Sequence, residues 1–144
     1  MEIRDFMTQD HQRLDQALKD FAGISTNDPT LKMELFHRVR AVLERHMAWE
    51  EEILFPCIER RSGMHMPGPS ALVQFQHQRI KALLEKLSVQ IVNKEKEVDE
   101  SQEALIALLT LHAEEEEKVL YPWIELCLCE EDRKEALKKM KQSM

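Results

Sequence analysis

The chain repeats itself, and the repeat constrains its fold more than any other feature. His11 and His77 are 66 positions apart, and so are His46 and His112. Around the first pair, His11-Gln12-Arg13-Leu14 returns as His77-Gln78-Arg79-Ile80. Around the second, HMAWEEEILFPCIE (46–59) returns as HAEEEEKVLYPWIE (112–125), identical at seven of fourteen positions. Self-similarity at a fixed period means that one structural unit is used more than once. The expectation is two helical hairpins related by a pseudo-twofold axis, each supplying the same side chains. They form the halves 1–66 and 67–132 of a single domain over 1–144.

Each half reads as two helices. Over 3–22 the apolar residues Ile3, Phe6, Met7, Leu14, Ala17, Leu18 and Phe21 keep helical spacing on one face. Gly23 ends that run and Ser25-Thr26-Asn27 is a loop. Asp28 followed by Pro29 is an N-cap with proline at the first helical position. A second helix runs through Leu31, Leu35, Val39 and Val42 to Ile53, and Pro56 is expected to kink or end it. The stretch 62–69, with Gly63, Pro67, Gly68 and Pro69, is the clearest break. A third helix carries Val73, Ile80, Leu84, Leu87 and Ile91. A turn falls within 93–101, and a fourth helix carries Leu105, Leu108, Val119 and Leu120, with Pro122 in the place of Pro56. Residues 130–142 read as a short polar helix closing one end. With only 3 glycines and 5 prolines, a fold of many short strands and tight turns is excluded. The expected fold is all-α, an antiparallel up-down-up-down four-helix bundle with a short C-terminal helix.

Four histidines stand where a helix should bury an apolar residue. Met7, His11, Leu14 and Leu18 step by 4, 3 and 4, and Val73, His77, Ile80 and Leu84 do the same. On the second helix His46 lies on the stripe of Val39, Val42 and Ile53, with Glu50 one turn on. The fourth helix repeats this with Leu105, Leu108, His112, Glu116 and Val119. Side chains at i and i+4 project from one face. Four imidazoles and two carboxylates therefore point to the bundle axis, at a cost of several kcal/mol unless they are paired or bind metal. Neutral imidazole and carboxylate suit first-row transition ions. His11 with His46 can serve one ion and His77 with His112 another, while Glu50 and Glu116, with two oxygens each, can bridge both. A six-coordinate ion would keep positions for an oxo or hydroxo bridge and for an outside ligand.

The repeat also selects among the acidic residues. In Glu50-Glu51-Glu52 and Glu114–Glu117 a solvated face is the default. Only Glu50 with Glu116 and Glu51 with Glu117 are doubled. The latter pair is turned off the shared face, where hydrogen bonds to the histidines are its expected role. His37 and His65 match Glu103 and Glu131 and stand outside the pattern. Phe55-Pro56 and Tyr121-Pro122 read as packing at a kink. A ferritin-like site would need Glu-x-x-His twice, and only Glu34-x-x-His37 fits.

Net charge −7 argues against binding nucleic acid or an anionic membrane. No apolar run approaches the roughly 20 residues that span a bilayer, and Glu2, Arg4 and Asp5 are wrong for a signal peptide. Three cysteines, an odd count, point to free thiols in a reducing cytoplasm. Cys57, Cys127 and Cys129 read as buried packing thiols, with redox relay through Cys127-x-Cys129 as the alternative.

The sequences DHQRLD around His11, HMAWEEEILFP, QHQRI around His77 and HAEEEEKVLYP resemble the hemerythrin family, in its bacterial hemerythrin-like cation-binding branch. The resemblance covers nearly the whole chain. It implies a non-haem di-iron site, two irons with an oxo or hydroxo bridge, held by His11, His46, Glu50, His77, His112 and Glu116. Classical oxygen carriers of the family have a fifth histidine where this chain has Val73, and an aspartate where it has Glu116. The missing histidine implies an open position on both irons. The resemblance thus implies a protein that binds or reduces oxygen, nitric oxide or peroxide in stress response or iron handling, with an unidentified reductant. Reversible oxygen storage and a non-catalytic metal-binding or structural bundle are the alternatives.

Overall fold

The computed structural model describes residues 2–63 and 68–144. Helix α1 (Ile3–Ala22) opens on a capping box in which Glu2 and Asp5 satisfy each other's backbone N–H groups. Helix α2 (Pro29–Ala48) starts as expected: the Asp28 carboxylate accepts from the Leu31 N–H at 3.2 Å, and Pro29 takes a position whose N–H would have no partner. The chain continues through a π-helical segment, Trp49–Leu54, into α3 (Phe55–Ser62). Gly63, at φ 72°, closes α3 in the left-handed conformation that glycine adopts without strain. Helix α4 (Pro69–Val92) is followed by a short turn and α5 (Val98–Glu115). A second π-helical segment, Glu116–Leu120, leads into α6 (Tyr121–Cys127), and α7 (Glu130–Gln142) ends the fold.

The result is the all-α bundle expected from the repeat. Helix α1 packs on α2, α4 on α5, and α2 on α4. Two apolar layers fill the interior. One lies toward the turns at 23–28 and 93–97 and contains Leu14, Leu18, Phe21, Phe36, Val39, Leu43, Ile80, Leu84, Leu87 and Leu105. It is tied off by Lys32, whose buried ammonium donates to the carbonyls of Phe21 (2.7 Å) and Ile24 (3.1 Å) and to Gln102. These carbonyls belong to the end of α1 and its turn, where a cation is favourable. The other layer, around Phe6, Met7, Trp49, Leu54, Phe55, Ile58, Val73 and Leu120, is closed by Leu137 and Met140 of α7. On every long helix the singled-out polar residues fall between the two layers.

At Pro56 and Pro122 the chain stays helical, but the regular α-helix gives way to a π segment just before each proline. Each is preceded by a wider turn in which the N–H of Phe55 bonds the carbonyl of Glu50, and that of Tyr121 the carbonyl of Glu116. The π turn accommodates the extra residue without breaking the helix. It also rotates the residues beyond it about the helix axis. Val119, expected on the inward stripe, is 55% exposed and Ile53 only partly buried, while Leu54 and Leu120 are buried in their place.

Cys57 is a buried packing thiol, as expected. Cys127 is partly buried, and Cys129 is exposed and accepts an N–H from Arg61 at 3.1 Å. All three are free thiols. His37 and Glu34 are exposed, and His65 lies outside the described residues. No helix among the described residues is long and apolar enough to cross a membrane.

Candidate metal centre

All six residues singled out by the repeat meet between the two apolar layers, and all are buried. His77, Glu50 and Glu116 are fully enclosed, and His11, His46 and His112 retain 6%, 2% and 4% of their surface. The imidazoles pair within each half: His11 with His46 at 4.6 Å between ring centres, His77 with His112 at 5.2 Å.

Every ring turns Nε2 inward to a carboxylate. His11 Nε2 is 2.9 Å from Glu116 Oε1 and His77 Nε2 is 2.9 Å from Glu50 Oε1. His46 Nε2 lies 3.4 Å from Glu116 Oε1, and His112 Nε2 3.1 Å from Glu116 Oε2. Every ring turns Nδ1 outward to a second polar group. Asp10 holds His46 Nδ1 at 2.8 Å and Gln76 holds His112 Nδ1 at 2.6 Å. Glu117 lies 3.4 Å from His11 Nδ1 and Glu51 3.7 Å from His77 Nδ1. Outer partners of this kind fix the tautomer and orientation of a metal-binding imidazole.

Glu51 and Glu117 thus stand beside the histidines of the opposite half, but they do not hydrogen-bond them: His11 Nδ1 and His77 Nδ1 are buried without a partner. Asp10 and Gln76 escape sequence reasoning. They are themselves an offset-66 pair, each one residue before a repeated histidine, and only their non-identity hides them. Asp10 is fully buried and takes further hydrogen bonds at 3.1 Å from Arg13 and Arg45. Tyr121, which the sequence presents as packing at a kink, escapes it too. Its hydroxyl enters the middle of the cluster, 3.1 Å from Glu50 Oε2 and 3.0 Å from Glu116 Oε1.

The electrostatics are set by this enclosure. Burial opposes charging His46, but Glu50, Asp10 and Glu116 outweigh it and hold the imidazole well above its usual range. His77, opposed by burial and favoured by Glu50 and Glu51, is raised to about 9. Burial alone would raise Asp10, and the hydrogen bonds of His46 and Arg13 with the charge of Arg45 bring it below the usual carboxylate range. Glu50 is raised by burial and by the neighbouring Glu116 charge. Glu116 is held low against burial by Glu50, His112 and His11. Tyr121 is raised well above the usual phenol value by burial and by both glutamates. Protons on the imidazoles thus do what cations would do: they hold two carboxylates side by side in a dry interior.

The donor set fits metal. Two groups each offer atoms lying within 4.8 Å of one another: Glu50, His77, His112 and Glu116 form one, and His11, His46 and Glu116 the other. Glu116 is common to both. His112 Nε2 and Glu116 Oε2 are buried without a hydrogen-bond partner though they lie 3.1 Å apart. Buried polar atoms left in that state are uncommon, and an ion that both could coordinate accounts for the pair.

The model of the hemerythrin HHE cation-binding domain matches residues 2–124, and matches again over 68–143. The chain belongs to the hemerythrin HHE cation-binding family. No curated protein and no solved structure matched the chain.

The site's geometry can be tested in two ways. Asp10→Ala leaves His46 Nδ1 without its acceptor and should weaken metal binding about 10–100-fold, as outer-partner mutations do elsewhere. A competition titration measures it, and unchanged affinity would show that Asp10 does not orient the ring. The second test concerns pH. In chelator-treated protein the stabilisation from His77 is fully present below the unfolded imidazole value of about 6.5 and is lost as pH rises through about 9. The contributions of Asp10 and Glu116 are present above the unfolded carboxylate range and lost as pH falls through their lowered folded values. Urea denaturation should therefore show stability falling from slightly acid pH toward pH 9, and metal should reverse that fall because it binds neutral imidazole. A pH-independent midpoint across that range would contradict the imidazole assignment.

Proposed function

We propose that this chain holds two iron ions, one against His11, His46 and Glu116 and one against Glu50, His77, His112 and Glu116. In this reading it uses them to bind or reduce a small ligand: oxygen, nitric oxide or peroxide. The observation that carries the reading is the sharing of Glu116 between two buried donor groups that otherwise use different residues. A bound iron pair would supply coordination positions and electrons for such a ligand. The chain itself supplies four imidazole Nε2 atoms, two carboxylates and the outer partners that aim the rings. The two flanking apolar layers keep bulk water from the cluster, which strengthens electrostatic interactions inside it.

Val73 supports a reactive centre over a pure oxygen carrier. It is 4% exposed within the apolar layer and offers no donor at the position of the classical fifth histidine. Both ions would then keep room for an outside ligand. Free thiols fit a reducing compartment, and a cytoplasmic role in redox or nitrosative stress or in iron handling fits this chemistry.

The reading predicts about two irons per chain by elemental analysis, as in di-iron bundles. His112→Ala should reduce this toward one and lower the melting temperature, since a ligand bound only to the folded state stabilises it. Anaerobic stopped-flow mixing of the reduced, iron-loaded chain with oxygen, nitric oxide and peroxide should give a rapid spectral change with at least one of them. Iron absent from the purified chain, or a loaded chain inert to all three, would refute the reading.

A further inference from the structure

The repeat predicts two equal halves of the centre, and the structure sets a phenol oxygen beside one of them. Glu50, His77, His112 and Glu116 stand together on one side; on the other, His11, His46 and Glu116 stand together, with Glu50 Oε2 farther off, 3.7 Å from His46 Nε2. The hydroxyl of Tyr121 lies against the smaller group: 3.1 Å from His46 Nε2, 3.4 Å from His11 Nε2 and 3.0 Å from Glu116 Oε1. Its counterpart 66 residues earlier is Phe55, buried at 1% exposure and without an oxygen to offer.

We infer that the Tyr121 phenol oxygen is the fourth protein donor of the His11–His46–Glu116 subsite, which makes the two ions of the centre chemically distinct. The inference rests on the metal-binding reading above and goes beyond it by adding a ligand and breaking the symmetry.

The spacing of the donors supports this first. An ion bound at about 2.0–2.2 Å by nitrogen and oxygen ligands holds those ligands roughly 2.8–3.6 Å apart. Glu116 Oε1 stands 2.9 Å from His11 Nε2 and 3.4 Å from His46 Nε2, and the three Tyr121 separations are 3.0, 3.1 and 3.4 Å. All five have the spacing of donors around one ion. The supply of hydrogens supports it independently. The Tyr121 hydroxyl faces two carboxylate oxygens, Glu116 Oε1 at 3.0 Å and Glu50 Oε2 at 3.1 Å, with a single proton to give. A cation at the meeting point satisfies the oxygen that one proton cannot.

On binding, the phenol O–H bond breaks, its proton leaves to solvent, and the oxygen lone pair forms the metal bond; no electron is transferred. An anionic oxygen on one ion alone favours the higher charge there, by Coulomb attraction. The His11–His46 subsite therefore holds ferric iron in preference to its neighbour.

Tyr121 is the only tyrosine in the chain, so the test is clean. The full chain is loaded with iron, oxidised, and probed by visible absorption and resonance Raman spectroscopy. The expected result is a phenolate-to-iron(III) charge-transfer band with enhanced phenolate ring vibrations. Tyr121→Phe should abolish both while the Glu50–His77–His112–Glu116 group still binds iron. Phe55→Tyr, which gives the other half its own phenol, should intensify the band. A wild-type chain that binds iron and shows no phenolate vibrations overturns the inference and leaves the metal-binding reading intact. That readout holds even if Tyr121→Phe fails to fold. Failure to bind any iron overturns both.

Discussion

Six polar side chains, two of them carboxylates, are shut between two apolar layers, and their mutual compensation is the constraint on which the rest of the structure depends. Either charge alone in that place would be expelled or neutralised, because an uncompensated buried ion costs several kcal/mol. The helices therefore have to bring imidazole and carboxylate to within about 3 Å of each other from four directions at once. This explains why both hairpins carry the same side chains at the same level. It also explains the outer ring: Asp10 and Gln76 hold His46 and His112 by hydrogen bonds at Nδ1, while Glu117 and Glu51 stand 3.4 and 3.7 Å from the Nδ1 atoms of His11 and His77.

The π turns serve the same end. A regular helix continuing from Glu50 or Glu116 would carry Ile53 and Val119 inward and leave the next proline facing a carbonyl it could not serve. The widened turn begins at the glutamate in one case and beside it in the other, takes up one residue, and brings Leu54 and Leu120 into the core. In the second half it also sets Tyr121 five residues past Glu116 with its hydroxyl among the donors, where the first half sets Phe55. Departures from regular helix thus cluster at the glutamates, where such turns are known to mark functional sites.

Most of this is legible in the sequence because the repeat compares the chain with itself. Identity at an offset of 66 separates Glu50 and Glu116 from the surrounding acidic run, and helical spacing places the four histidines inward. The helix start at Pro29 arises from local chemistry, the Asp28 cap and the proline itself, and needs no tertiary information. What identity cannot reveal is a functional position filled by different residues in the two halves. Asp10 and Gln76 do the same work with different groups, and Tyr121 and Phe55 share a place but not a chemistry. The inward rotation of Leu54 and Leu120 is hidden for another reason: a fixed period of 3.6 residues contains no π turn.

Occupation of the shared cluster by ions is the central claim. Anomalous diffraction from iron-loaded crystals, collected at the iron absorption edge, tests it directly. Two peaks are expected inside the bundle, one bounded by His11, His46 and Glu116 and the other by Glu50, His77, His112 and Glu116, with Glu116 reaching both. Iron found only at the protein surface, or a cluster without anomalous density in a crystal that contains iron, would contradict it.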